Sequence, residues 1–130
     1  MQEKVSFRTD GKTVLLADDD PTVRSLTRTI LEMSGYLVIE AEDGEDAVQK
    51  FMTHRDRIVL LVLDVVMPKK NGKETYAEIR KMNPGIKVLF ISGYTYDIIR
   101  RDGIIEDGLS LVSKPFSSNE LLSTVQSLVN

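Results

Sequence analysis

The sequence contains no cysteine. That excludes disulfides and thiolate metal sites, and it is the usage expected of a cytoplasmic protein. Long apolar runs are missing too. The longest uninterrupted one covers six residues, 58–63, far short of the roughly 20 that a membrane-spanning helix needs. Residues 1–12 form a polar stretch with nothing resembling a signal peptide, expected as a tail or the end of a linker. Charge of one sign is not in excess: 17 basic against 20 acidic residues leave a net charge of -3. The basic residues are scattered, which argues against nucleic-acid binding by charge alone. There is no internal repeat or low-complexity segment. With 130 residues, 42% hydrophobic and 28% charged, the chain is the size of one domain with a proper core.

Three apolar runs stand out in what is present. Val14-Leu15-Leu16-Ala17 leads into Asp18-Asp19-Asp20, residues 58–63 lead into Asp64, and Leu109-Ser110-Leu111-Val112 is followed closely by Lys114. Short apolar runs bounded by turn signals are the pattern of buried parallel strands. In open parallel sheets, chemistry gathers beyond the carboxyl ends of the strands. The three aspartates, Asp64 and Lys114 are therefore expected at one edge of one sheet. Clustered carboxylates repel unless a cation sits among them, and oxygen-only ligands in an open site favour a hard ion such as Mg²⁺. The pattern points to a site for a metal and a phosphoryl group.

The rest of the chain alternates regularly. Strands are expected at 13–17, 36–40, 58–63, 86–91 and 109–112. Asp20-Pro21 supplies an N-cap and a first-turn proline for a helix with Val23, Leu26, Ile30 and Leu31 on its inner face, ending near Ser34-Gly35. Asp43-Gly44 opens a helix that turns Ala47, Val48 and Phe51 inward. A third helix packs Tyr76, Ile79 and Met82 and stops at Asn83-Pro84-Gly85. A fourth is expected over roughly 96–105. Ser117 or Ser118 caps the last, with Leu121, Leu122, Val125 and Leu128 inward. Five strand–helix alternations imply an α/β fold with a parallel sheet covered on both faces.

Four motifs then resemble something specific. Leu15-Leu16-Ala17-Asp18-Asp19-Asp20-Pro21, Leu63-Asp64-Val65-Val66-Met67-Pro68 with Gly72, Ile91-Ser92-Gly93, and Lys114-Pro115-Phe116 resemble the receiver domain of two-component response regulators. They stand in the right order on the right elements, and the resemblance runs from about Lys12 to Asn130. It implies a domain over 12–130 preceded by a tail over 1–11. It also implies a doubly wound, flavodoxin-like five-stranded sheet in the order 2-1-3-4-5.

By the same resemblance Asp64 accepts phosphate from the phosphohistidine of a sensor histidine kinase, with Mg²⁺ as cofactor. Asp19 would bind Mg²⁺ directly, Asp18 through water, and Asp64 and the backbone carbonyl of Val66 would complete the protein ligands. Ser92 would hydrogen-bond one phosphoryl oxygen and Lys114 would pair with another. A cis Lys114-Pro115 bond would aim the lysine, and Gly93 would leave the donor room to approach. The chemistry suits these types: a carboxylate is a legitimate phosphoryl acceptor, and the transfer needs positioning and charge neutralisation above all.

One departure concerns Leu111. Many receivers carry Tyr or Phe three residues before the lysine, whose ring turns inward when the Ser/Thr moves towards the phosphate. Leucine makes that two-position switch unavailable, so Ser92 and the loop after it would carry the response. A second reading fits Asp18-Asp19-Asp20-Pro21-Thr22 to the D-x-D-x-T motif of haloacid-dehalogenase-like phosphatases, with Asp18 as nucleophile and Asp20 as acid. It lacks the later acidic motif, since beyond Lys114 only Glu120 remains, and it leaves Asp64 without a role. A third is a degenerate receiver serving as a binding module.

Asp20 taken alone reads as a helix cap. His54, the sole histidine, reads as a surface residue rather than a phosphodonor. Lys69-Lys70 reads as a solvated loop bordering the site, and Tyr94 and Tyr96 as packing or rim residues. The stretches 91–95 and 112–116 are similar to C-terminal receivers of hybrid sensor histidine kinases. That origin is expected over a free-standing regulator. Expected partners are such a kinase or its phosphohistidine domain and a downstream histidine phosphotransfer protein, with no nucleic acid and no membrane contact.

Overall fold

A computed structural model describes residues 11–93 and 109–130. The helix expected over 96–105, and Tyr94 and Tyr96, lie outside the described residues. The strands are β1 (Thr13–Ala17), β2 (Leu37–Ala41), β3 (Ile58–Asp64), β4 (Lys87–Ser92) and β5 (Ser110–Ser113). The described helices are α1 (Pro21–Met33), α2 (Gly44–His54), α3 (Gly72–Met82) and α4 (Ser118–Val129). All paired strands run parallel, in the order β2-β1-β3-β4-β5, as the resemblance implies.

Side-chain alternation divides the core into two layers. Leu15 and Ala17 join Phe51 of α2, Ile79 of α3 and Phe90 of β4 on one face. Val14 and Leu16 join Leu31 of α1 and Leu121 and Val125 of α4 on the other. Every residue of β1 is buried, which is why residues 14–17 read as an unbroken apolar run.

The helix starts follow their capping chemistry. Asp20 accepts from the amides of Thr22 (2.9 Å) and Val23 (3.3 Å), with Pro21 in the first turn. Asp43 accepts from Asp46 (2.8 Å). Asn71 and Glu74 form a reciprocal capping box at 2.8 and 3.0 Å. Ser117, not Ser118, caps the last helix by accepting from Glu120 at 3.0 Å.

Some expectations need correction. β2, β4 and β5 each lie one residue later than expected, because ladder bonds rather than side-chain hydropathy set a strand's limits. The shift puts Ser92 on β4 as its last residue. Leu26 does not face inward; it is 58% exposed. Thr27 is buried instead, four residues before Leu31, its hydroxyl satisfied by the Val23 carbonyl at 2.8 Å. The inner faces expected for α2 hold: Ala47, Val48 and Phe51 are buried, as are Tyr76, Ile79, Leu121, Leu122 and Val125 further on.

Candidate functional site

The carboxyl ends of β1, β3, β4 and β5 meet at one edge of the sheet. Asp18 follows β1, Asp64 ends β3, Ser92 ends β4 and Lys114 follows β5. Parallel ladders bring these positions together: Asp64 stands opposite Ile91, and Ser92 opposite Ser113. Main-chain bonds continue past the strands, with Val65 donating to the Ile91 carbonyl at 2.9 Å and Lys114 to the Ser92 carbonyl at 2.7 Å. The Lys114-Pro115 peptide bond is cis.

Ligand oxygens of Asp18, Asp19 and Asp64 all lie within 4.8 Å of one another. Asp18 and Asp64 are buried, at 1% and 7% exposure, whereas Asp19 is exposed. Lys114 Nζ bridges the two buried carboxylates, 3.2 Å from Asp64 Oδ2 and 3.3 Å from Asp18 Oδ2. Asp18 Oδ1 accepts from the Asp20 amide at 2.9 Å, and Asp64 Oδ1 from the Val66 amide at 3.4 Å. Ser92 is buried at the same edge.

Burial pushes the Asp64 carboxyl up to a pKa of about 6, Asp18 adds to the rise, and Lys114 opposes it. Burial works against the Lys114 ammonium, but Asp64 and then Asp18 outweigh it and hold its pKa above the usual lysine value. Three carboxylates against one ammonium leave the cluster negative. An all-oxygen donor set with uncompensated charge fits a hard divalent cation.

The loop after β3 is shaped by close packing. A Cβ on Gly72 would stand 2.5 Å from the Asp64 carbonyl oxygen and 3.1 Å from Val65 Cα. Its amide donates to the Val65 carbonyl at 2.9 Å. Lys69 adopts a left-handed φ of 69° in the same loop. Its ammonium lies 3.6 Å from Asp43 Oδ2, and that of Lys70 is 3.0 Å from Glu78. The two lysines thus pair with α2's cap and with α3, Lys69 while staying exposed to solvent as expected. Past β4, a Cβ at Gly93 would meet nothing within 4 Å among the described residues.

The rival residues do not gather. The Asp20 carboxylate is committed to the α1 N-cap, away from the work of a catalytic acid, and Glu120 lies in the first turn of α4. His54 Nδ1 lies 2.7 Å from Arg57 Nη2 at the far end of α2. Leu111, half-buried, pairs with Phe90 in register and packs against the α2–α3 core layer.

Sequence reading missed two features around the site. Gly44 reads as the opening of a helix, yet an added Cβ would overlap the Lys70 carbonyl, so the glycine lets α2 pack on the β3–α3 loop. Arg24 donates from Nη1 to the Asp18 carbonyl at 2.7 Å and from Nε to Glu40 at 3.1 Å. Its only sequence signal is its place one turn after Asp20.

Among the described residues no helix is long and apolar enough to cross a membrane. The family described as "Response regulator receiver domain" matches residues 14–126. The chain is 34% identical over 127 residues to the sensor kinase CckA of Brucella abortus, covering 98% of this chain and 13% of the kinase. It is 35% identical over 116 residues to the transcriptional regulatory protein CpxR of Escherichia coli, covering 89% of this chain and 48% of that protein. The chain thus spans half or less of the length of these curated relatives. Among solved structures, the response regulator TrrA of Thermotoga maritima, in complex with Mg²⁺-BeF, is similar with a TM-score of 0.78 and 32% identity. That likeness covers 90% of this chain and 98% of TrrA. Fold, carboxylate cluster and similarity agree: the chain belongs to the response regulator receiver domain family of two-component signalling.

Proposed function

We propose that Asp64 is the phosphoacceptor and takes a phosphoryl group from the phosphohistidine of a sensor histidine kinase. The observation that carries this reading is the Lys114 bridge between Asp64 and Asp18 at the mouth of an oxygen-only cluster. A carboxylate oxygen of Asp64 forms the new O–P bond while the donor's P–N bond breaks, its electron pair leaving with the imidazole nitrogen. With a pKa of about 6, Asp64 is mostly ionised at neutral pH and ready to attack. Lys114, already within ion-pair reach of Asp64, moves its charge onto a phosphoryl oxygen, and Ser92 hydrogen-bonds another.

Asp19, Asp64 and the Val66 carbonyl would hold Mg²⁺ directly, and Asp18 through water. When bound, Mg²⁺ offsets the charge of the carboxylates and of the transferred group. The Mg²⁺-BeF complex of the related TrrA supports that choice of ion. The similarity to a sensor kinase over 98% of this chain supports a receiver within a hybrid kinase, which passes phosphate to a histidine phosphotransfer protein in the cytoplasm.

Incubation with acetyl phosphate and Mg²⁺ should add one phosphoryl group, detected by intact mass, and Asp64→Asn should abolish it. Labelling that persists in Asp64→Asn but disappears in Asp18→Asn would overturn the assignment in favour of the phosphatase-type nucleophile.

A further inference from the structure

The turn between β1 and α1 carries two of the three clustered carboxylates. Asp18 is anchored through both carboxylate oxygens, to the Asp20 amide and to Lys114. Asp19 is exposed, and among the described residues its carboxylate has no hydrogen bond or ion pair. With no partner to hold the carboxylate, what the main chain fixes is the direction of its Cα–Cβ bond, to which the plane of the Asp18–Asp19 peptide contributes.

That peptide is held through its carbonyl, and the peptide before it through its amide. The Asp18 amide donates to the Ala41 carbonyl of β2 at 3.2 Å. The Asp18 carbonyl accepts from Arg24 Nη1 at 2.7 Å. Arg24 is itself fixed: its amide donates to the Asp20 carbonyl at 2.9 Å, and its Nε donates to Glu40 Oε1 at 3.1 Å. Glu40 Oε2 accepts from Arg28 Nη1 at 2.6 Å. A guanidinium is planar with N–H groups in fixed directions, so satisfying Glu40 and the carbonyl together dictates where that carbonyl points.

We propose that Arg24, braced by Glu40, is a positioning residue for the cation site: it fixes the Asp18–Asp19 peptide plane and thereby helps turn the Asp19 Cα–Cβ bond, and with it the carboxylate, towards Asp64. This inference rests on the reading of Asp18, Asp19 and Asp64 as Mg²⁺ ligands. Its sign distinguishes it from a charge effect. Removing a cation beside an acidic cluster would by charge alone tighten Mg²⁺ binding, whereas losing the brace loosens it. Lysine keeps the charge but, as a single point donor on a flexible stem, cannot serve both acceptors in fixed geometry.

Calorimetric Mg²⁺ titration of the wild type, Arg24→Ala, Arg24→Lys and Glu40→Gln tests this, together with metal-free amide spectra and acetyl phosphate labelling across Mg²⁺ concentrations. Arg24→Ala should raise the Mg²⁺ dissociation constant about tenfold, the scale of one lost charged hydrogen bond. Arg24→Lys and Glu40→Gln should raise it by smaller factors. The labelling rate at saturating Mg²⁺ should stay within about twofold of wild type, because Arg24 does not touch the reacting atoms. The metal-free Asp19 and Asp20 amide resonances should shift in Arg24→Ala. Unchanged or tighter Mg²⁺ binding in the variants overturns the proposal. Should Arg24→Ala fail to fold, Arg24→Lys, which keeps the charge, decides it by the same criterion. A wild type that binds no Mg²⁺ would instead overturn the ligand assignment, and this inference with it.

Discussion

At the scale of the residue, Asp64 shows how a site sets its own pH response. Burial first, then Asp18, raise its pKa from 3.8 to about 6. The folded protein thus holds this proton more tightly than the unfolded chain does. As pH rises from about 4 to about 6, the unfolded chain loses its proton first, and Asp64's contribution to stability falls through that window. Above it the penalty is fully present. Asp64→Asn removes the charge, so at pH 7 the variant should be more stable than wild type by about 1 kcal/mol, discounted for partial access to water. At pH 4 the difference should nearly vanish. Urea unfolding at the two pH values, without Mg²⁺, measures both. A wild type more stable at pH 7 would mean that the attraction of Lys114 outweighs burial. The acidic cluster was legible in the sequence because each member follows a buried strand, where a charge has few structural uses. Arg24 was not legible: its work is done on a main-chain carbonyl and on Glu40, a partner that only the pairing of β1 with β2 brings near.

Among the elements, most of the constraint falls on the loop from β3 to α3. Gly72 lies so close to the Asp64 carbonyl that a methyl group has no room, and the obstacle is backbone rather than a side chain that can turn away. Gly72→Ala should destabilise the fold by about 1–3 kcal/mol and displace the loop that carries Val66. Chemical denaturation gives the first, and altered Val65 and Val66 amide resonances the second. An Ala variant of wild-type stability would show that α3 can retreat freely. The described strands and helices were largely readable, since apolar runs, caps and breakers all agree with them. Strand limits slipped by one because Ser92 and Ser113 continue the ladder although neither is apolar. Leu26 and Thr27 exchanged places because a threonine that bonds its own helix can be buried as readily as a leucine.

For the whole molecule, the question is how far the proposed phosphorylation at Asp64 would be felt. Leu111 packs beside Phe90 in the α2–α3 layer and offers no ring to turn. The response should therefore stay small and centred on the site. With beryllofluoride as phosphoryl mimic, amide shifts should concentrate near Asp19, Asp64, residues 92–95 and Lys114, and the sedimentation coefficient should not change. Extensive shifts through residues 96–105 together with stable dimers would refute this account of Leu111. The strand order was legible only through the family resemblance, because β2 carries none of Asp18, Asp64, Ser92 and Lys114, and the convergence of those four groups does not place it.

The four groups do not hang from equally durable supports. Asp18 and Asp64 grow out of β1 and β3, neighbours in the interior of the sheet and almost wholly buried. Lys114 grows out of β5, an edge strand of four residues that is buried only at Val112. Local opening starts where few apolar contacts protect the ladder, and on warming β5 is such a place. The carboxylates would then outlast their lysine. Short of global melting, warming should then free Lys114 from the Asp18–Asp64 pair first, which an early loss of the Lys114 amide resonance relative to those of Asp18 and Asp64 would check.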